Sequence, residues 1–296
     1  MPTLDFFTGL LEATPATRNP ENKPMLEALS YDFMRNAILA GLLVSIACGV
    51  IGSLVVVNRM VFISGGIAHA AYGGIGLAVL LGFPPLFGAG VFSVFIAFII
   101  GVLSLRKTYR IDTIIGALWA AGMAIGIICI DRAGGYRADL LSYLFGSILA
   151  VPTTDLWFTA ALDLSVVLFA ALFYHDLLAM SYDAEYAGLR RVPVTALYLV
   201  LLGISALTVV MTIRVVGLIL VIALLTIPPY ISEEFAGSLG RMMVFSVILS
   251  AVFTIAGLFL SFSFDLTSGA SIIMVSTLCF FVYFIYRAKR TSQKSS

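Results

Sequence analysis

Two ionisable side chains stand in apolar surroundings where such groups are costly. His69 lies in the glycine-rich run Val61-Phe-Ile-Ser-Gly-Gly-Ile-Ala-His-Ala-Ala-Tyr-Gly-Gly-Ile-Gly-Leu, and Asp163 lies in Thr159-Ala-Ala-Leu-Asp-Leu-Ser-Val-Val. At membrane depth an imidazole or a carboxylate is a functional candidate by default, as an ion ligand or a proton carrier. Each also has a plain structural reading. His69 would then be a buried neutral histidine hydrogen-bonded to a neighbouring helix, and Asp163 a hydrated or Thr159-capped carboxyl close to an interface. His175 and Asp176 sit at the end of another apolar run, where interfacial solvation accounts for them. Other chemistry is missing. No Gly-x-x-x-x-Gly-Lys-Ser/Thr phosphate loop occurs and no His-Glu-x-x-His pair, so nucleotide hydrolysis and zinc proteolysis have no motif here.

These residues sit in a chain built for lipid. Of its 296 residues 61% are hydrophobic and 11% charged, against about 25% charged in a soluble domain. Mean hydropathy is +1.08. The expected fold class is therefore all-α, a polytopic membrane protein with about eight or nine transmembrane helices. Apolar runs long enough to span fall at 33–57, 61–82, 86–105, 112–130, 156–180, 193–213, 215–230, 243–262 and 270–287. The run 215–230 is short and allows a broken helix, and the double proline Pro228-Pro229 should end it. Residues 140–151 are too few to span and fit a re-entrant or interfacial helix. Residues 1–30 read as an extracytoplasmic or interfacial arm without the pattern of a cleaved signal, 4–11 being a short amphipathic stretch. The transmembrane body then covers 31–290 and a basic tail 291–296. Cys48, Cys129 and Cys279 have neither metal-ligand nor disulfide spacing. The net charge of +1 gives no reason to expect nucleic acid as a partner.

Basic residues set the orientation, because cytoplasmic loops collect Lys and Arg. Arg59, Arg106, Lys107, Arg110, Arg190, Arg191, Arg241, Arg287, Lys289, Arg290 and Lys294 fall on one set of connections. Arg18, Lys23, Arg35, Arg132, Arg137 and Arg214 fall on the other. An odd number of spans then puts the N-terminus outside and the C-terminus in the cytoplasm. Within the second span small residues recur at helical spacing: Gly66, Ala70 and Gly74 on one ridge, Gly65, His69 and Gly73 on the next. Helices in lipid associate through such small residues, so Gly65, Gly66, Gly73 and Gly74 are expected at helix packing faces, with space left around the imidazole.

Several blocks, in order, resemble the integral-membrane permeases of bacterial ABC importers for divalent metals. They are Asn58-Arg-Met-Val-Phe-Ile-Ser-Gly-Gly-Ile-Ala-His-Ala, Ile111-Asp-Thr-Ile-Ile-Gly, Tyr143-Leu-Phe-Gly-Ser-Ile-Leu-Ala-Val, Asp183-Ala-Glu-Tyr-Ala-Gly-Leu and Val216-Gly-Leu-Ile-Leu-Val-Ile-Ala-Leu-Leu-Thr-Ile-Pro-Pro. The resemblance implies a fold of the metal/cobalamin-importer type in a bacterial or archaeal plasma membrane. It also implies a homodimeric or heterodimeric permease, an ABC ATPase subunit that uses ATP on a separate chain, and an extracytoplasmic metal-binding protein. The transported ion would be zinc, manganese or iron, with no permanently bound cofactor and no enzymatic step in this chain. His69 would be a pathway ligand, while Asp183 and Glu185, with Ser232, Glu233, Glu234 and Gly237, would meet the ATPase. One departure matters: zinc and manganese members commonly carry an aspartate one turn before the histidine, where this chain has Gly65. Asp163 could supply that carboxylate, or be an unrelated interfacial group. The alternative reading of the whole chain is a secondary transporter driven by an ion gradient; a non-transporting membrane scaffold is a further one.

Overall fold

A computed structural model describes residues 31–105, 110–133, 146 and 148–294, with side chains through Lys289. The described residues form helices and no strand. In chain order these are α1 (Asp32–Val57), α2 (Val61–Leu81), α3 (Pro85–Leu105), α4 (Ile111–Arg132), α5 (Thr153–Leu172), α6 (Tyr174–Tyr182), α7 (Ala184–Leu189), α8 (Val194–Val216), α9 (Leu218–Phe235), α10 (Leu239–Phe264) and α11 (Ser268–Lys294), with a 3₁₀ turn at Ile148–Ala150. Nine of them are long and apolar enough to cross a membrane; α6 and α7 are not. Each expected span has its helix, with differences at the ends. The expected run 156–180 is two helices, because the chain turns at Phe173 just before the polar Tyr174, His175 and Asp176. The tail boundary at 290 falls inside α11. The arm at 1–30, Arg106, Lys107, Arg137 and most of 140–147 lie outside the described residues.

α1 is the central helix, packed on α10, α9, α5 and α8. Its rows of small residues explain how. Ser53 donates to Gly49 O at 2.7 Å, and its Oγ shares a hydrogen bond with Ser246 Oγ of α10 at 3.1 Å, a polar link between two helices that have no hydrophobic drive to associate in lipid. At Gly52 a Cβ would stand 2.6 Å from Leu225 O of α9, so only glycine allows this approach.

That contact corrects one expectation. α9 does not stop at Pro228-Pro229 but runs on to Phe235. A proline inside a helix removes an N–H and costs about 3 kcal/mol, unless neighbours take up the freed carbonyl. Pro229 cannot bond to Leu225 O, and the α1 backbone at Gly52 closes over that oxygen. One turn earlier Thr226 Oγ1 donates to Ile222 O at 2.8 Å. The polar stretch after the prolines is consequently no helix of its own. Ser232 is buried in the last turns of α9, and Ala236, Gly237 and Ser238 link it to α10.

α2 lies most extensively on α4 and then on α3. A Cβ on Gly122 of α4 would stand 2.8 Å from Ala70 Cα, and one on Gly126 would stand 2.5 Å from Tyr72 O. Backbone therefore rests on backbone across this pair. α8 and α9 are joined by Gly217 alone, at φ 85°. Gly146 packs against this corner, backbone to backbone, and Arg214 pairs with Asp155 at 2.7 Å beside it. The opposite end of the bundle carries α6 and α7. There Asn58 Nδ2 donates to Ser181 Oγ at 2.9 Å, and Gly240 N–H donates to Tyr174 OH at 3.1 Å.

Candidate metal path and partner surfaces

α2 presents His69 on the side that faces α4. The imidazole stacks on the indole of Trp119, with ring centroids 3.9 Å apart and planes 14° from parallel. Trp119 Nε1–H donates to Met123 Sδ one turn along α4, at 3.1 Å. His69 Nδ1 is buried and meets no hydrogen-bond partner, and the imidazole as a whole is only half-buried. The hydrogen-bonded histidine of the plain structural reading is thus not what the described residues show.

The glycines around it divide their work. Gly66 packs on Ile115 of α4, Gly73 on Gly122 of α4 and Phe92 of α3, and Gly74 on Gly88 and Phe92 of α3. Gly65, expected among them as a packing residue, has no atom of another described element within 4 Å of where its Cβ would be. That open position lies one turn from the imidazole, so a side chain could enter there without displacing anything. Gly116 of α4 is equally open. Beyond it α4 exposes a face of small residues, Ala117, Ala120, Ala121 and Ala124.

Asp163 is held elsewhere. α5 packs chiefly on α1, and Asp163 is 5% exposed there, beside Cys48 and facing the Ala47 backbone, with no side chain among the described residues bonded to its carboxylate. Thr159 spends its hydroxyl on Asp155 O at 2.9 Å and does not cap Asp163. Among the described residues no group of three or more His, Cys, Asp or Glu side chains is placed to hold a metal. Among the described residues, an ion at His69 would thus meet no cluster of three such ligands.

At the α6–α7 end, Asp183 caps α7 by accepting the Tyr186 N–H at 2.9 Å. Ala187 is buried beneath, which leaves Tyr182, Glu185, Tyr186 and Leu189 exposed together. Glu233 and Gly237 are exposed at this same end, while Glu234 pairs with Arg287 at 3.0 Å. Asp183 and Glu185 on one side, Glu233 and Gly237 on the other, are tied to one surface through Tyr174 and Gly240.

Sequence reasoning missed Trp119. Nothing in its neighbourhood sets it apart from the other aromatic residues of the spans, since the stack forms only when α2 and α4 are brought together.

A family model described as the ABC 3 transport family matches residues 30–287. The chain is 52% identical over 263 residues to an uncharacterized membrane protein of Synechocystis, covering 89% of this chain and 94% of that one. It is 33% identical over 264 residues to the manganese transport system membrane protein MntC of Halalkalibacterium halodurans, covering 89% and 90%. Among solved structures it is similar to PsaBC from Streptococcus pneumoniae in complex with Fab, with a TM-score of 0.79, 30% identity, and coverage of 88% of this chain and 95% of that one.

Proposed function

Because the chain belongs to the ABC 3 transport family, we propose that it is the permease subunit of an ATP-driven importer of a divalent metal, with His69 on the ion's path. The observation that carries this is the imidazole itself: ionisable, in a span, half-open, with Nδ1 unbonded among the described residues, and next to the open position at Gly65. A path must bind its ion weakly enough to release it, and a single imidazole does so. Relatives named for manganese transport favour manganese as the cargo, with zinc and iron the other candidates.

The remaining surfaces suit the partners. The small-residue face of α4 fits a second permease chain, since close approach at small residues is what holds helices together in lipid. α7, with its exposed Tyr182, Glu185, Tyr186 and Leu189, fits the docking of an ATPase on a separate chain, together with the turn at Glu233 and Gly237. Arg59, Arg190, Arg191 and Arg241 at that end favour placing it in the cytoplasm of a bacterial cell, with the N-terminus outside. A metal-binding protein would then deliver its ion at the Gly217 end.

Reconstitution of the chain with its ATPase and its binding protein in liposomes tests the reading. Uptake of Mn²⁺ should require ATP and persist when proton and sodium gradients are collapsed. Uptake that follows a gradient and ignores ATP would replace this reading with that of a secondary transporter.

A further inference from the structure

A metal-binding imidazole almost always donates its second ring nitrogen to a carboxylate, a carbonyl or a water, and that bond fixes both tautomer and ring plane. His69 lacks one: Nδ1 is buried and unbonded, and one turn before it Gly65 offers only empty space. What fixes the ring is the Trp119 indole, stacked on one face at 3.9 Å. The indole is fixed in turn by its bond to Met123 Sδ. Both rings sit in the seam between α2 and α4, where these helices touch backbone to backbone at Gly122 and Gly126.

Resting on the reading that His69 takes the transported ion, we infer that Trp119, anchored by Met123, is the positioning residue of that site and holds the imidazole so that Nε2 alone is offered to a divalent cation. The indole does the work that a hydrogen-bonded carboxylate does at most metal sites. A tryptophan that only filled space could be replaced by any large apolar side chain. A tryptophan that orients the ring could be replaced only by another flat aromatic one.

The chain has two tryptophans, and Trp157 is exposed on α5, so a Trp157→Phe chain in liposomes reports on Trp119 alone. Mn²⁺, a paramagnetic quencher, should lower its emission saturably, excess Zn²⁺ should restore it, and adding His69→Ala should abolish the response. In uptake assays with the ATPase, Trp119→Leu should raise the half-saturating Mn²⁺ by about tenfold and leave the maximal rate within about twofold. Trp119→Phe, which keeps the stack, should stay within about threefold of wild type. Met123→Leu, the milder change should Trp119→Leu fail to fold, should raise half-saturation by about threefold. Quenching that survives His69→Ala, or a Trp119→Leu chain that loses maximal rate at unchanged half-saturation, would overturn the inference. Full uptake by His69→Ala would instead overturn the pathway reading beneath it.

Discussion

His69 and Asp163 are the same kind of anomaly, an ionisable group inside an apolar helix, and the fold treats them in opposite ways. α2 carries His69 into a seam with α4 where one face of the ring is covered and the neighbouring position at Gly65 is empty. α5 carries Asp163 against the central helix α1, 5% exposed, its carboxyl turned to the Ala47 backbone. The cost of putting such a group in lipid is similar in both places. Among the described residues the position beside His69 is open, whereas Asp163 is buried against α1. Cost alone marks a residue as unusual; the space beside it separates a path from a sealed core.

Four substitutions would break or sharpen that contrast. The largest effect is expected from His69→Ala, which should cut metal uptake by more than about tenfold while the complex still assembles. Gly126→Val should come next, because its side chain would be forced against the α2 backbone at Tyr72. A loss of about 3 kcal/mol, at the upper end of overpacking costs, should appear as a lower melting temperature of the purified chain. Gly65→Asp should fit its open position and set a carboxylate one turn from His69. Half-saturating Mn²⁺ should then fall several-fold, by about threefold to tenfold in competition-corrected uptake. Asp163→Asn should do least, with uptake within about twofold of wild type, because the carboxyl is buried against α1 and not in the α2–α4 seam. Failed transport by Asp163→Asn in a chain that folds normally would erase the distinction between the two sites.

Much of this was legible beforehand, because the membrane restricts what a backbone can do. Every long apolar run is a helix, since in lipid a helix satisfies its own polar groups. His69 was visible for the same reason. What could not be read were features that depend on a second helix. Pro228 and Pro229 announce the end of a helix, yet α9 continues to Phe235, packed at Leu225 against Gly52 of α1. Gly65 and Gly66 are neighbours of identical type, yet one packs on Ile115 and the other on nothing, a difference set by where α4 crosses α2. Trp119 lies fifty residues from His69 in sequence, and no spacing rule connects them. The turn at Phe173 was hidden because the apolar run resumes at Leu177 after a short polar interruption, while the bonds from Asn58 and Gly240 that hold α6 come from other helices.

The central claim is that an ion reaches His69 and not Asp163. Cysteine scanning tests it, in a chain with Cys279→Ser, because Cys279 is exposed whereas Cys48 and Cys129 are buried. With the ATPase turning over ATP, His69→Cys should react with a small water-soluble thiol reagent, and Cd²⁺ should slow that reaction, while Asp163→Cys should stay unmodified. An inert His69→Cys beside a reactive Asp163→Cys would contradict the account.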